Sequence, residues 1–187
     1  NYIVEPLADY NINGLVVSHN NIKSIADAYH TSKSVDVKDL CLIWGDNLTN
    51  NSFQKIKYSS NVWVCEFYSK DREAWSNFDK RALSNNHLLA GTKKIRDDIW
   101  KTKIGDQVSI KGWLANYYPE GQPDNVRQTS LNREDTGNGA CEVIFVKEYE
   151  ILKRYKPELR DFFNFLKFSL VSLLIIKLIT FIRFSYI

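Results

Sequence analysis

What this 187-residue chain has little of narrows its chemistry first. Its three cysteines, Cys41, Cys65 and Cys141, are too few for a disulfide scaffold and too widely spaced for a zinc knuckle. Of its three histidines, His19 and His30 have no second ligand at metal spacing and read as surface or cap residues. There is no Gly-rich phosphate loop, no internal repeat, and no alternation of strands with long helices. Nothing calls for a metal or a cofactor. A charge surplus is missing from most of the chain as well. The formal net charge is +3, and residues from 160 onward hold Arg160, Lys167, Lys177 and Arg183 against Asp161 alone. That surplus accounts for the whole net charge and leaves residues 1–159 neutral. A nucleic-acid binder carries a basic stripe on its folded part, so no nucleic-acid partner is expected.

What is present is enough for one domain with an appendage: 44% of residues are hydrophobic, which permits a real core. The information is densest between Gly105 and Leu152. Val108, Ile110 and Leu114 alternate at period two after a Gly-Asp turn, and CEVIFVKEYEIL is a β-branched and aromatic block. Two strands, 107–118 and 141–152, are therefore predicted on either side of a polar loop, 119–140. A loop that long is usually functional or disordered. Glycine inside GDQVSIKGWL permits the tight bend of a small barrel strand. The expected fold is α+β: a small antiparallel β-barrel or sheet, OB-like or SH3-like, with a few short helices and a C-terminal hydrophobic helix. The boundaries are 1–159 for the β-rich domain and 160–187 for the helix.

The remaining elements follow the same reasoning. GLVVS at 14–18 reads as a short strand, followed by a helix capped by Ser18 or Asn20 with Ile22, Ile25, Ala26 and Tyr29 at helical spacing. Leu40 to Trp44 is an uninterrupted apolar run and suits a strand buried on both faces. Asn61 to Tyr68 is read as one strand, and 71–81 as a helix whose core pair is Trp75 and Phe78. Ser84, Asn85 and Asn86 read as turn formers ahead of His87. A further helix starts at the cap Thr92, uses Ile95 and Ile99 as its inner face, and stops before Gly105.

The tail, FFNFLKFSLVSLLIIKLITFIRFSYI from Phe162, is long enough to cross a bilayer. Lys177 near its centre costs about 2.5 to 3.5 kcal/mol on insertion scales, while each Leu, Ile, Phe or Val returns about 0.3 to 0.6 kcal/mol. More than a dozen such residues lie from Phe168 onward. Insertion therefore wins over a helix lying in the interface or a core helix of the soluble domain. Orientation has two opposed signals. Lys153, Arg154, Lys156, Arg160 and Lys167 favour a cytoplasmic domain. A chain that starts at Asn1 rather than Met, read as processed or truncated, and a possible bridge between Cys41 and Cys65 favour the extracytoplasmic side, which is the expectation taken.

Two constellations carry candidate chemistry. Arg127, Thr129, Ser130 and Arg133 in the loop offer guanidinium forks and hydroxyls for a small anionic ligand or a protein partner; the competing reading ties Arg133 to Asp135 or Glu134 as a loop fastener. Cys141 with His87, oriented by Asn86 or Asp135, is the alternative: a thiol activated by an imidazole, as in a hydrolase or transferase. No cysteine-peptidase signature surrounds Cys141, and no Gly-x-Ser-x-Gly elbow surrounds Ser130. The strings SNNH at 84–87, GDQVSIKGWL at 105–114 and TSLNREDTGNGACEVIFV at 129–146 resemble uncharacterised bacterial membrane-anchored proteins with an extracytoplasmic domain. The resemblance implies the bacterial envelope and brings no activity with it.

Overall fold

Strand-forming sequence dominates the first 153 residues, and the computed structural model turns it into a mixed five-stranded sheet, a two-stranded sheet and a few short helices. It describes residues 1–20, 22, 35–61, 64–135 and 140–185. In chain order these are β1 (Tyr2–Asn20), β2 (Asp36–Ile43), the helical turn α1 (Asp46–Thr49), β3 (Lys57–Asn61), β4 (Val64–Tyr68), α2 (Arg72–Ser76), β5 (Leu83–Ala90), α3 (Lys93–Lys101), β6 (Gln107–Pro119), β7 (Glu142–Lys153) and α4 (Pro157–Ser185). Contacts divide the chain into Asn1–Lys153 and Arg154–Ile187.

Hydrogen bonding runs β1-β2-β5-β7-β6 and returns to β1, so the main sheet closes on itself. All pairings are antiparallel except β5 with β7, which is parallel. This corrects the expected all-antiparallel sheet: a parallel neighbour needs a crossover, and α3 and β6 lie between β5 and β7 in the chain. β6 and β7, the two strands flanking the long loop, pair antiparallel with each other. The core inside the ring is built from alternate residues, Leu40 and Leu42 of β2, Leu88 of β5, Val108, Ile110 and Leu114 of β6, and Ile144 and Val146 of β7. Helix α3 adds Ile95 and Ile99. Thr92 Oγ1 caps it by accepting the Ile95 N–H at 3.2 Å.

Gly112 is where β6 bends. The β6–β7 register slips between Lys111 and Gly112, and a Cβ there would collide with the Phe145 carbonyl and lie 3.1 Å from Val146 Cα. Only a glycine lets the two backbones approach so closely.

Several sequence expectations need correction. β1 is 19 residues long rather than a short strand from Gly14, because its first half has a partner in β6 that lies over a hundred residues away. Pro6 sits at a register slip in β1, where the missing N–H is tolerated. The stretch read as one strand, 61–68, contains the second strand of a hairpin, β3 pairing with β4. The 71–81 helix is only α2 followed by a 3-10 turn, Lys80–Ala82. Ser84, Asn85 and Asn86 are not turn formers: they lie in β5, buried. His19, expected at a helix flank, lies in β1 opposite Leu40; burial, with Lys38 and Lys103 nearby, lowers its pKa to about 4. The helix proposed around Ile25 and Tyr29, with His30, lies outside the described residues.

α4 comprises 29 residues, about 43 Å at the helical rise. It is one helix long and apolar enough to cross a membrane, and none of its most apolar window is buried.

Candidate functional site

Strand alternation sends one side chain into the core and the next to the outer face. With Leu40, Leu42, Leu88 and Ile144 pointing inward, β2 presents Asp39 and Cys41 outward, and β5 presents Asn85 and His87. The β2–β5 register sets Asp39 opposite His87 and Cys41 opposite Asn85. On the other side of β5, Asn86 pairs with Glu142, which brings Cys141 level with Asn85. Both faces of β2 are buried. Its outer one is covered, and the groups on it that matter lie beneath the loop and the β3–β4 hairpin.

At the centre is His87, 1% exposed, against Asp39, 0% exposed. His87 Nδ1 lies 2.7 Å from Asp39 Oδ1. Arg127 Nη2 lies 3.1 Å from His87 Nε2. Cys141 lies beside the ring and acts on its proton affinity. Asn85 Nδ2 donates to Cys141 Sγ at 3.6 Å, and the Ser130 N–H donates to the Cys141 carbonyl at 3.0 Å. Cys141 is a partly exposed thiol outside the disulfide.

Burial acts to lower the His87 pKa, but the bonds to Asp39 and Cys141 outweigh it and raise the value to about 9. The Arg127 contact pulls the other way, since a guanidinium N–H donates to Nε2 only when that nitrogen is unprotonated. We favour the raised direction, because the Asp39 carboxyl group is fully buried against the ring and stabilises its charged form. The same geometry holds a neutral ring or an imidazolium, with Nδ1 donating to Asp39 in either case.

Of these groups, Cys141, Asn85 and Arg127 line one side of a cavity of about 750 Å³, together with Ser84, Lys80, Arg81, Asp135 and the apolar side chains Val64, Phe67 and Leu83, while His87 and Asp39 lie buried behind them. Cys65 also lines it, bonded to Cys41 in a disulfide with Cα atoms 5.8 Å apart. The bridge ties β4 to β2.

The structure uses the loop residues differently from one another. Thr129 Oγ1 accepts the Val143 N–H at 2.9 Å. Ser130 Oγ lies 2.6 Å from Asp135 Oδ2 and accepts the Asn132 N–H at 3.0 Å. Arg133 pairs with Glu142 at 2.5 Å, not with Asp135 or Glu134. It also donates to Tyr10 Oη at 3.1 Å and covers the Trp44 ring at 5.3 Å. The Glu142 pKa is nonetheless raised to about 7, because desolvation outweighs the Arg133 charge. The pair is thus a full ion pair only toward the alkaline side. Arg133, Thr129 and Ser130 fasten the loop to the sheet, and Arg127 alone of the four reaches the His87 cluster.

Neither Asn86 nor Asp135 takes the Nδ1 position on His87. Asn86 faces the other way, with Nδ2 donating to Ser84 Oγ at 2.8 Å and Oδ1 accepting from Tyr10 at 3.3 Å. Asp39 was missed in the sequence. The available signal was a carboxylate at the head of the apolar run DLCLIW, which buries only with a partner. Among the described residues no group of three or more His, Cys, Asp or Glu side chains is placed to hold a metal ion. Comparison with protein-family models and with curated proteins gives no match.

Proposed function

We propose that this chain is a membrane-anchored, extracytoplasmic β-domain of the bacterial envelope that carries a thiol-dependent hydrolase or transferase site. Cys141 is the nucleophile, His87 the imidazolium that holds its proton and leaves it a thiolate, and Asp39 the group that orients the ring. The observation that carries the reading is the buried Asp39–His87 pair with Cys141 beside the ring and on the wall of a cavity. In such a series the thiolate adds to an acyl carbonyl, and the leaving group departs with the imidazolium proton, leaving a thioester on sulfur. Water or a second nucleophile, deprotonated by the now neutral His87, releases the acyl group and restores the thiolate–imidazolium pair. Five strands in Greek-key order, with one parallel contact and a helix between the third and fourth ring strands, support the OB-like barrel over the SH3-like one. The disulfide supports an oxidising compartment, as does the resemblance to envelope proteins, against the opposed signal of the basic cluster beside α4.

Iodoacetamide labelling of the folded protein tests the site. Cys141 should react faster near neutral pH than a free thiol, and His87→Ala should remove the advantage. A Cys141 that stays unlabelled until denaturation refutes the reading. A second reading, a small anionic ligand or protein partner held at the 119–140 loop, is favoured by Lys80, Arg81 and Arg127 lining the same cavity. Arg127→Ala should then abolish stabilisation by inorganic phosphate or sulfate while the domain remains folded. Sidedness is read by labelling Cys141 in intact cells with a membrane-impermeant maleimide.

A further inference from the structure

We infer that the Cys41–Cys65 disulfide is itself a reaction partner of Cys141, and that the cavity is a thiol–disulfide exchange site in which the bridge migrates from Cys41–Cys65 to Cys65–Cys141. The inference rests on the nucleophilic Cys141 proposed above, and its geometry comes from different residues.

Cys65 and Cys141 line the same cavity. Cys41 lies directly across the sheet from Asn85, and the Asn85 amide touches the Cys141 sulfur at 3.6 Å. Residues opposite one another in an antiparallel pair share a face, so all three sulfurs lie on one side of the sheet. Their exposure decides which sulfur is attacked. Cys41 is 0% exposed, whereas Cys65 is partly exposed and borders the cavity. Cys65 Sγ is therefore the electrophile and Cys41 the leaving group. A direct Cys41–Cys141 bridge is excluded by spacing. Strand β5 lies between β2 and β7, so two strand intervals of about 4.8 Å separate the two Cα atoms, more than the roughly 7 Å a disulfide spans.

The exchange balances without an external oxidant or reductant. The Cys141 thiolate, its proton already held by His87, attacks Cys65 Sγ. The Cys65–Cys141 bond forms as Cys41–Cys65 breaks. The Cys41 thiolate leaves and takes up the proton from the imidazolium, so one thiol and one disulfide are present before and after. The consequence is twofold. The β3–β4 hairpin changes its tether from β2 to the end of the long loop, and the nucleophile disappears into a disulfide. The domain thus holds an active form, in which Cys141 is the thiol, and a latent form, in which Cys41 is the thiol and is buried.

The test uses the full chain in mild detergent. The protein is held between pH 6 and 9, quenched in acid, alkylated with N-ethylmaleimide under acidic denaturing conditions and digested without reduction. Peptides joined through Cys65 and Cys141, with Cys41 alkylated, should appear and accumulate faster as pH rises. His87→Gln should slow their appearance by about 10²-fold, the scale of a lost general base. Cys65→Ser should leave Cys41 and Cys141 both alkylated. Rapid native iodoacetamide labelling of Cys141 with no Cys65–Cys141 peptide at any pH overturns the exchange and leaves the nucleophile standing. No native labelling and no exchange overturns both. A Cys41–Cys141 peptide in Cys65→Ser overturns the geometry on which the direction of attack rests.

Discussion

Replacing Asp39 with Asn tests the buried pair at the centre of the site, because the substitution keeps the shape and the hydrogen-bond acceptor while removing the charge. The His87 pKa is raised from 6.5 to about 9, with burial opposing and Asp39 and Cys141 supplying the rise. The folded protein therefore holds this proton more tightly than the unfolded chain. The resulting stability is complete below pH 6.5 and is lost as pH climbs through about 9. At about 1.4 kcal/mol per tenfold change in proton affinity, the rise corresponds to about 3 kcal/mol. Other groups also titrate across this range. Glu142, raised to about 7, lowers stability as pH goes from 4.5 to 7. Lys38 is lowered to about 8 by burial and by Lys103, and it raises stability as pH goes from 8 to 10.5. Both are present in the two proteins and cancel in the difference between them. Urea midpoints measured from pH 6 to pH 10 should show Asp39→Asn less stable than wild type at pH 6, by the share of those roughly 3 kcal/mol that Asp39 supplies, with the deficit shrinking as pH climbs toward 10. Parallel profiles, offset by a constant, would mean that the pair carries no charge and that Asp39 is only a hydrogen-bond acceptor in the sheet.

Two further expectations come from the packing. Gly112→Ala should cost about 3 kcal/mol in chemical denaturation, because the added methyl meets the backbone of β7 rather than a movable side chain; a loss below about 1 kcal/mol would show that the bend relaxes freely. Reducing Cys41–Cys65, which closes a loop of 24 residues' separation, should lower stability by about 3 to 4 kcal/mol, read as a shift in urea midpoint with and without dithiothreitol. An unchanged midpoint would show that the β3–β4 hairpin is held to β2 by the packing of Tyr58 and Phe67 into the cluster that contains Ile43.

Strands 107–118 and 141–152 were legible because one face of each meets the core, and period-two alternation marks that face directly. The Thr92 helix was legible through its cap and its Ile95–Ile99 stripe. SNNH was misread because Ser and Asn favour turns when their side chains bond the local backbone. In β5 the same polar atoms find distant partners instead: Tyr10 and Leu40 for Asn86, and Cys141 for Asn85. The length of β1 was hidden for a related reason, since Val4 to Asn11 becomes a strand only when β6 is beside it. Arg133 was expected to pair locally. Its partner, Glu142, lies beyond the loop and is buried, where an unpaired carboxylate costs most.

The amino-acid sequence by itself determined a neutral β-rich domain, two strands around one long polar excursion, and a terminal helix apolar enough for a bilayer, because each depends on composition or on spacing within a few residues. The tertiary structure decided which strands are neighbours, and with that the site. Asp39, His87 and Cys141 lie 48 and 54 positions apart along the chain, and only the β2–β5 register and the parallel β5–β7 contact put them on one face. Register is a property of paired strands, and no single strand's sequence carries it.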